Sequence, residues 1–230
     1  MRHGSALALT LLLLATCDGN LRVPGPVGQL ETFKKQDAAG QFDAIANASV
    51  SSDCTAGSNR SDACPQIYAI HGRACLQMAR AESAAPAACP GPAAQRWLDC
   101  ASSDLGQAEA SRSFSPDQLT GIRDNRARAL YCSASLRAPQ EGQALAQEAD
   151  RELEGLPATA GRKQLAASTA MFAAVRPAFP AAQRCAAARQ ALGRAQEGLR
   201  LPADPAMTQE LQRIAANATD LIARIPCGNT

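Results

Sequence analysis

Two stretches of this chain share one layout: CPQIYAIHGRAC, from Cys64 to Cys75, and CPGPAAQRWLDC, from Cys89 to Cys100. Each begins with Cys-Pro and ends on a second cysteine eleven positions later. Eleven residues of α-helix make about three full turns, so both cysteines of a stretch lie on the same face, about 16 Å apart. The spacing therefore predicts two helices, each with a cysteine at either end of one face.

The segment between the two stretches, ESAAPAA, is short and contains a proline. It predicts that the two helices fold back on each other as an antiparallel hairpin. In an antiparallel pair the start of one helix faces the end of the other, so the spacing predicts disulfides Cys64–Cys100 and Cys75–Cys89. The paired stretches are similar to the twin C-x9-C motif of coiled-coil-helix-coiled-coil-helix proteins, although here ten residues separate the cysteines.

The chain begins MRHGSALALTLLLLATCDGN, in which a basic start precedes an apolar run from Ala6 to Ala15. That run is too short to span a bilayer and has the layout of an export signal. The segment from Leu14 to Cys17, LATC, resembles the lipobox of bacterial lipoproteins. The resemblance implies a signal peptide over residues 1–16, a lipid-bearing N-terminus and linker over residues 17–28, and attachment to the bacterial cell envelope facing the periplasm. Ordinary secretion is the alternative.

Asp18, directly after the expected lipidated cysteine, is similar to the signal that retains enteric lipoproteins in the inner membrane. Whether that sorting rule applies to this chain is left open, so the sequence does not choose between inner and outer membrane.

The chain has nine cysteines, an odd number. Assigning Cys17 to the lipid leaves eight, which in an exported chain are most simply four disulfides. Near the C-terminus, two predicted helices joined through LPADP carry Cys185 at the start of the first and Cys227 just beyond the second, so these two should pair. Elimination then joins Cys54 with Cys132, although Cys54 could equally reach a neighbour and displace another bond.

Helix formers dominate the rest of the chain, and no alternating strand pattern is present. The sequence therefore predicts an all-α single domain over residues 29–230, with eight or nine helices in antiparallel hairpins that form a bundle or a superhelix. Outside the paired stretches, the breaks predict helices at about Pro116–Arg137, one ending near Leu156, Arg162–Val175, Pro180–Leu199 and Pro205–Ile225.

The segment FKKQDAAGQFDAIANAS, from Phe33 to Ser49, resembles the junction between the two helices of a tetratricopeptide repeat. Gly40 and Phe42 occupy the matching positions. The stretches Tyr68–Ala79 and Asn125–Leu136 look like first helices of later units. The resemblance implies a short tetratricopeptide-like solenoid that offers a groove to a peptide or a partner protein.

Catalytic motifs are missing from the sequence, which has no G-x-S-x-G, phosphate loop, H-E-x-x-H or C-x-x-C. His71 is the one histidine beyond the export signal. The acidic pairs Asp99 with Asp104 and Glu152 with Glu154 are interpreted as solvated side chains on helix surfaces. We therefore expect no enzymatic activity and no cofactor.

The overall charge is nearly balanced, with 23 basic against 21 acidic residues, and aromatic residues make up only 3% of the chain. Together with the export signal, this argues against a nucleic-acid partner. A cluster of Arg123, Arg126 and Arg128 is interpreted as a solvated helix face, with an acidic partner or lipid headgroups as alternatives. The predicted function is a scaffold for other envelope proteins.

The alternative function is a periplasmic carrier of a small ligand or of a soft metal such as copper. It depends on His71, Cys75 and Met78, which lie at i, i+4 and i+7 on one helical face and offer imidazole, thiolate and thioether ligands. The expected disulfide between Cys75 and Cys89 argues against it, because an oxidised sulfur is a poor ligand.

Overall fold

The structure, a computed structural model, describes residues 25–55, 61–83, 88–111 and 113–227. These residues form ten α-helices and no strand, which confirms the all-α prediction. The helices are α1 (Pro26–Ala38), α2 (Phe42–Ala46), α3 (Ser52–Thr55), α4 (Ala63–Ala81), α5 (Gln95–Glu109), α6 (Pro116–Ser135), α7 (Pro139–Leu153), α8 (Ala160–Ala174), α9 (Ala181–Gly198) and α10 (Pro205–Arg224).

The expected signal peptide, Cys17 and Asp18 lie outside the described residues. Helix α1 begins at Pro26, inside the segment that the sequence assigns to the linker. Within the described ranges, no helix combines the length and the apolar character that crossing a membrane requires.

Capping residues explain why the later helices begin where the sequence predicts. Helices α6, α7 and α10 each have a proline in the first turn, where the missing N–H leaves no hydrogen bond unmade. Ser115 and Gln118 form a reciprocal capping box before α6, and the Asp204 carboxylate accepts a hydrogen bond from the Met207 amide at 2.8 Å before α10. Gly40, with φ of 69°, makes the turn between α1 and α2.

From α4 to α10 each helix packs against the next along the chain. Further contacts join α4 with α6, α6 with α8, and α8 with α10, so the even-numbered helices form a continuous row. Helices α1 and α2 pack against α4 at the N-terminal end. This arrangement of successive antiparallel helices creates a surface shared by α4, α6, α8 and α10.

The described residues form four disulfides: Cys54–Cys64, Cys75–Cys100, Cys89–Cys132 and Cys185–Cys227. The last of these is the predicted pair. The predictions Cys64–Cys100, Cys75–Cys89 and Cys54–Cys132 are wrong.

The segment CPGP explains the error, because the second stretch is not a helix from its first cysteine. A residue before proline avoids the α conformation, and Gly91, before Pro92, is extended with ψ of −177°. A 3₁₀ turn follows, and α5 begins only at Gln95. The register of the hairpin is thereby displaced by eleven residues, and Cys100 faces Cys75.

The displaced register leaves the two outer cysteines to other partners. Cys89 lies on the connection between α4 and α5 and bonds to Cys132 of α6. Cys64, in the first turn of α4, bonds to Cys54 of α3. The structure thus adopts the alternative prediction, in which Cys54 bonds to a neighbouring cysteine and displaces another predicted disulfide.

Candidate functional site

His71 is the most constrained polar side chain in the α4–α5 hairpin, with 7% of its surface exposed. Its Nδ1 lies 2.5 Å from Asp104 Oδ2, and its Nε2 lies 3.0 Å from the carbonyl oxygen of Ala48. The imidazole ring also stacks on Phe33, with centroids 6.0 Å apart. Three elements of the fold therefore hold the ring in one orientation.

The two partners of His71 determine where its protons are. A backbone carbonyl can only accept a hydrogen bond, so Nε2 carries a hydrogen and donates it to Ala48. Nδ1 faces a carboxylate, so one more proton lies between Nδ1 and Asp104. The interpretation of Asp104 as a solvated surface residue is wrong, since its side chain is only 16% exposed and pairs with the imidazole.

Sulfur atoms complete this cluster. Cys100 Sγ lies 3.6 Å from His71 Nδ1 and 3.9 Å from Asp104 Oδ2, and it is bonded to Cys75. The structure therefore brings together two of the three metal ligands that the sequence suggests, His71 and Cys75. Met78 packs against the hydrophobic core, Cys100 joins the pair, and Asp104 contacts both His71 and Cys100.

A first cavity lies between α4 and α6, with a volume of about 470 Å³. Leu105, Phe114 and Ile122 provide apolar lining, and polar side chains such as Gln66 and Asn125 share the wall. We call the surface around this cavity and the next one the even-helix face, because α4, α6, α8 and α10 supply most of it.

A second cavity of about 250 Å³ lies between α6, α8 and α10. Its apolar lining includes Met171, Ile214 and Val175, the last of which is 48% exposed. Two arginines flank this lining: Arg176, whose guanidinium stacks 3.4 Å from the centre of the Phe172 ring, and Arg213. An apolar surface is thus bordered by two guanidinium groups, and that of Arg213 is paired with Glu210.

Tyr131 lies in the same cavity and connects it to α6. Burial raises the pKa of the Tyr131 hydroxyl, and the nearby Glu210 carboxylate raises it further, while a hydrogen bond with Ser168 and the two cavity arginines oppose the rise. Glu210 also pairs with Arg213, with Oε1 and Nη2 2.5 Å apart.

Arg80 of α4 and Arg128 of α6 add to the positive charge of this face. Burial lowers the pKa of Arg80, and the adjacent charge of Arg128 lowers it further. No acidic side chain of the described residues forms an ion pair with either guanidinium. Two like charges therefore lie close together.

A separate charged cluster joins α5, α6 and α7. Arg126 forms ion pairs with Glu109 at 3.0 Å and, more closely, with Glu148 and Glu152. Burial raises the pKa of Glu152 to about 7, against the pull of Arg126. The interpretations of Arg126 and Glu152 as solvated side chains are wrong, because both are turned into a helix interface.

Comparison with the models of known protein families, with curated proteins and with solved structures finds no match to this chain.

The sequence contains signals that would have identified Asp104 and Cys100. His71 and Cys75 are four residues apart on α4, and Cys100 and Asp104 are four residues apart on α5. Reading CPGP as extended backbone would have moved the start of α5 and placed these two pairs opposite each other. The even-helix face had no comparable signal, because its residues are distributed over four helices.

Proposed function

We propose that this protein is a lipid-anchored scaffold of the bacterial cell envelope, and that its even-helix face binds an acidic segment of another envelope protein. The observation that carries the proposal is the second cavity, where exposed Val175 and an apolar lining lie between Arg176 and Arg213. The role is binding, with no enzymatic step and no cofactor. The membrane attachment is the lipid on Cys17.

The chemistry of the face supports an acidic partner. Contiguous exposed apolar surface marks interaction sites and ligand-binding grooves, and here Val175 continues the apolar lining of a cavity. Arginine binds carboxylates through two parallel hydrogen bonds and is frequent at protein interfaces. The uncompensated pair Arg80 and Arg128 extends the positive charge along the same face, so an acidic segment would relieve their repulsion.

Crosslinking in living cells tests the binding surface. A photoreactive amino acid replaces Val175 in the second cavity, and a matched control replaces Arg189, an exposed residue of α9 outside both cavities. We expect a defined crosslinked protein at position 175 and none at position 189. The same adduct at both positions, or no adduct at position 175, would contradict the proposal.

A charge variant tests the acidic character of the partner. Arg176→Gln together with Arg213→Gln keeps an unbranched polar side chain at both positions and removes both guanidinium charges beside the cavity. We expect loss of the crosslink at position 175 with unchanged thermal unfolding of the purified protein. An undiminished crosslink would exclude recognition of an acidic segment.

Metabolic labelling with an alkyne fatty acid tests the anchor. Incorporation of label into the wild type and its loss in Cys17→Ser are expected, with release of the variant from the membrane fraction. Equal membrane association of the wild type and the unlabelled variant would contradict the lipid anchor.

The second candidate function is a periplasmic carrier of a small ligand or a soft metal. The observation that favours it is the cluster of His71, Cys75, Cys100 and Asp104. Metal analysis of the protein as it is purified from the envelope, with free thiols counted in the same sample, tests it directly: bound copper in stoichiometric amount together with free Cys75 and Cys100 thiols would favour the carrier over the scaffold.

A further inference from the structure

Helices α4 and α5 present two pairs of side chains to each other, and each pair has the same spacing. His71 and Cys75 lie four residues apart on α4, and Cys100 and Asp104 lie four residues apart on α5. His71 faces Asp104, and Cys75 faces Cys100. Paired ligands one turn apart on facing helices are a common way to build a metal site in a helical protein.

We propose that reduction of the Cys75–Cys100 disulfide converts this cluster into a tetrahedral site for a divalent metal such as Zn²⁺. The ligands are His71 Nδ1, Cys75 Sγ, Cys100 Sγ and Asp104 Oδ2. In the oxidised protein the two sulfur atoms are bonded to each other and do not bind metal. The inference is independent of the scaffold role of the even-helix face.

The distances from Cys100 to His71 and Asp104 are already close to this geometry. Bonds from zinc to sulfur, nitrogen and oxygen are about 2.0–2.3 Å, so tetrahedral ligand atoms lie roughly 3.3–3.8 Å apart. Cys100 Sγ is 3.6 Å from His71 Nδ1 and 3.9 Å from Asp104 Oδ2. The ligand atoms of His71, Cys75 and Cys100 all lie within 4.8 Å of one another. Binding requires the two sulfurs to separate and Asp104 to move away from Nδ1.

The surroundings of His71 are those of a metal ligand. A histidine that binds metal through one ring nitrogen usually donates the other N–H to a carbonyl or carboxylate, which fixes the ring. Here Nε2 donates to the Ala48 carbonyl at 3.0 Å and leaves Nδ1 directed at the cluster. Cys100 and Asp104 are partly exposed and give the site an opening to solvent, whereas Cys75 is fully buried.

The other disulfides lack this environment. Within the described part of the chain, His71, Cys75 and Cys100 form the one group of three metal-ligating side chains with converging ligand atoms. Cys185 and Cys227 provide a matched pair in the C-terminal helices, with sulfur atoms but no such group. The metal chemistry is thus specific to the α4–α5 hairpin.

A dithiol reductant supplies two electrons and two protons, the bond between the two sulfurs breaks, two thiols form, and the reductant is oxidised to its own disulfide. Metal binding then releases both thiol protons together with the proton held between His71 Nδ1 and Asp104 Oδ2, because a ligand must be deprotonated to bind.

Cobalt titration of the reduced protein tests the proposal, since Co²⁺ reports thiolate ligands and tetrahedral geometry by its absorption. The wild type, reduced without metal, should bind one Co²⁺ with a thiolate charge-transfer band, and Zn²⁺ should displace it. Asp104→Ala should weaken binding about 10-fold or more. Cys75→Ser with Cys100→Ser should abolish the band, whereas Cys185→Ser with Cys227→Ser should leave it unchanged.

A second variant removes the need to reduce the other disulfides. Cys75→His cannot form the Cys75–Cys100 disulfide, so its site is open while the three remaining disulfides stay oxidised. We expect it to bind one Co²⁺ with a single-thiolate spectrum, and Cys75→His with Asp104→Ala to bind about 10-fold more weakly. A folded Cys75→His protein without tetrahedral cobalt, or an unchanged band in the double serine variant of Cys75 and Cys100, would overturn the proposal.

Discussion

The two halves of this molecule are held together by different means. In the N-terminal half, α1 to α6, one continuous apolar core contains Phe33, Ile67, Trp97 and Leu98, and three disulfides cross it. In the C-terminal half, α7 to α10, the buried residues fall into several small clusters made largely of alanine, with one disulfide. The first half depends on large side chains and covalent bonds, and the second on close helix approach.

Ion pairs between helices compensate for the small side chains in the C-terminal half. Arg194 of α9 forms two hydrogen bonds with Asp150 of α7, at 2.5 and 2.7 Å. Arg162 of α8 donates in the same way to both carboxylate oxygens of Asp124, on α6 of the N-terminal half. A buried alanine removes much less apolar surface from water than a leucine does. Bidentate arginine contacts therefore fix helix positions that apolar packing alone would leave weakly determined.

The largest expected effect comes from removing one disulfide in each half. Cys89–Cys132 and Cys185–Cys227 enclose almost equal segments, with sequence separations of 43 and 42 residues. Because the two disulfides restrict the unfolded chain to a similar extent, removing either one should lower the free energy of unfolding by about 2–4 kcal/mol. The double serine variant of Cys185 and Cys227 removes the only disulfide found among the described residues of the C-terminal half, so that half should open independently.

Hydrogen exchange read by mass spectrometry distinguishes the two variants. Without Cys185–Cys227, we expect faster exchange confined to α9 and α10. Without Cys89–Cys132, the remaining disulfides of the N-terminal half should keep exchange in α4 slow. Uniformly faster exchange over the whole chain in both variants would contradict the division into two halves.

Truncation of a buried leucine in each half should give the next largest effect. Leu98 and Leu211 are both fully buried, the first in the continuous core and the second in a small cluster with three alanines. Leu98→Ala should cost about 3 kcal/mol, because disulfides prevent the surrounding core from closing on the cavity. Leu211→Ala should cost about 2.5 kcal/mol, because the terminal helix α10 can shift inward. Urea unfolding measures both, and a larger loss for Leu211→Ala would reverse the comparison.

The two halves also differ in how much of their structure the sequence predicts. In the C-terminal half, first-turn prolines and capping residues mark the helix boundaries, and the Cys185–Cys227 pair follows from one hairpin. In the N-terminal half, pairing depends on register, and register depends on how many residues the connection before α5 takes. Local sequence does specify that connection, through the two X-Pro steps of CPGP, but an interpretation based on cysteine spacing alone overlooks it.

Side chains that meet across helices were the least predictable. The partners of Arg126 and of His71 lie on other helices, so neither charge pattern nor local periodicity indicates them. Glycines at close helix contacts are equally hard to recognise from the sequence, because their role depends on the atoms of the neighbouring helix.

Gly142 should be the position where the close packing of the C-terminal half is most sensitive to a single methyl group. A Cβ at this residue of α7 would lie 2.5 Å from Phe172 Cζ and 2.6 Å from the Ala134 carbonyl oxygen. Gly142→Ala should therefore destabilise the protein by about 1–3 kcal/mol despite the higher helix propensity of alanine. Gly193→Ala is the matched control, since nothing lies within 4 Å of its Cβ position in α9.

The control should be stabilised by about 0.5–1 kcal/mol, because alanine loses less conformational freedom on folding than glycine. Thermal unfolding of the two variants measures the difference. Equal effects at the two positions would mean that α7 does not approach its neighbours as closely as the geometry requires.

The smallest effect expected is a pH dependence from the charged cluster that joins the two halves. In the folded protein the pKa of Glu152 is raised from 4.5 to about 7. Between these two pH values the folded protein keeps a proton that the unfolded chain has lost. Its contribution to stability is therefore full below about pH 4.5, decreases as the pH rises through 7, and is absent above that. We expect this contribution to be about 1–2 kcal/mol.

Glu152→Gln imitates the protonated side chain at every pH, so it should remove this dependence and raise stability relative to the wild type at pH 8. Glu154→Gln, at an exposed position two residues away, should leave the pH dependence intact. Urea unfolding at pH 5, 6, 7 and 8 measures the free energy of unfolding of the three proteins. Subtracting the wild-type value from that of each variant cancels the contributions of the other carboxylates. A wild type that gains stability relative to Glu152→Gln as the pH rises would show that Arg126 and Arg123 outweigh burial and keep the Glu152 carboxylate ionised.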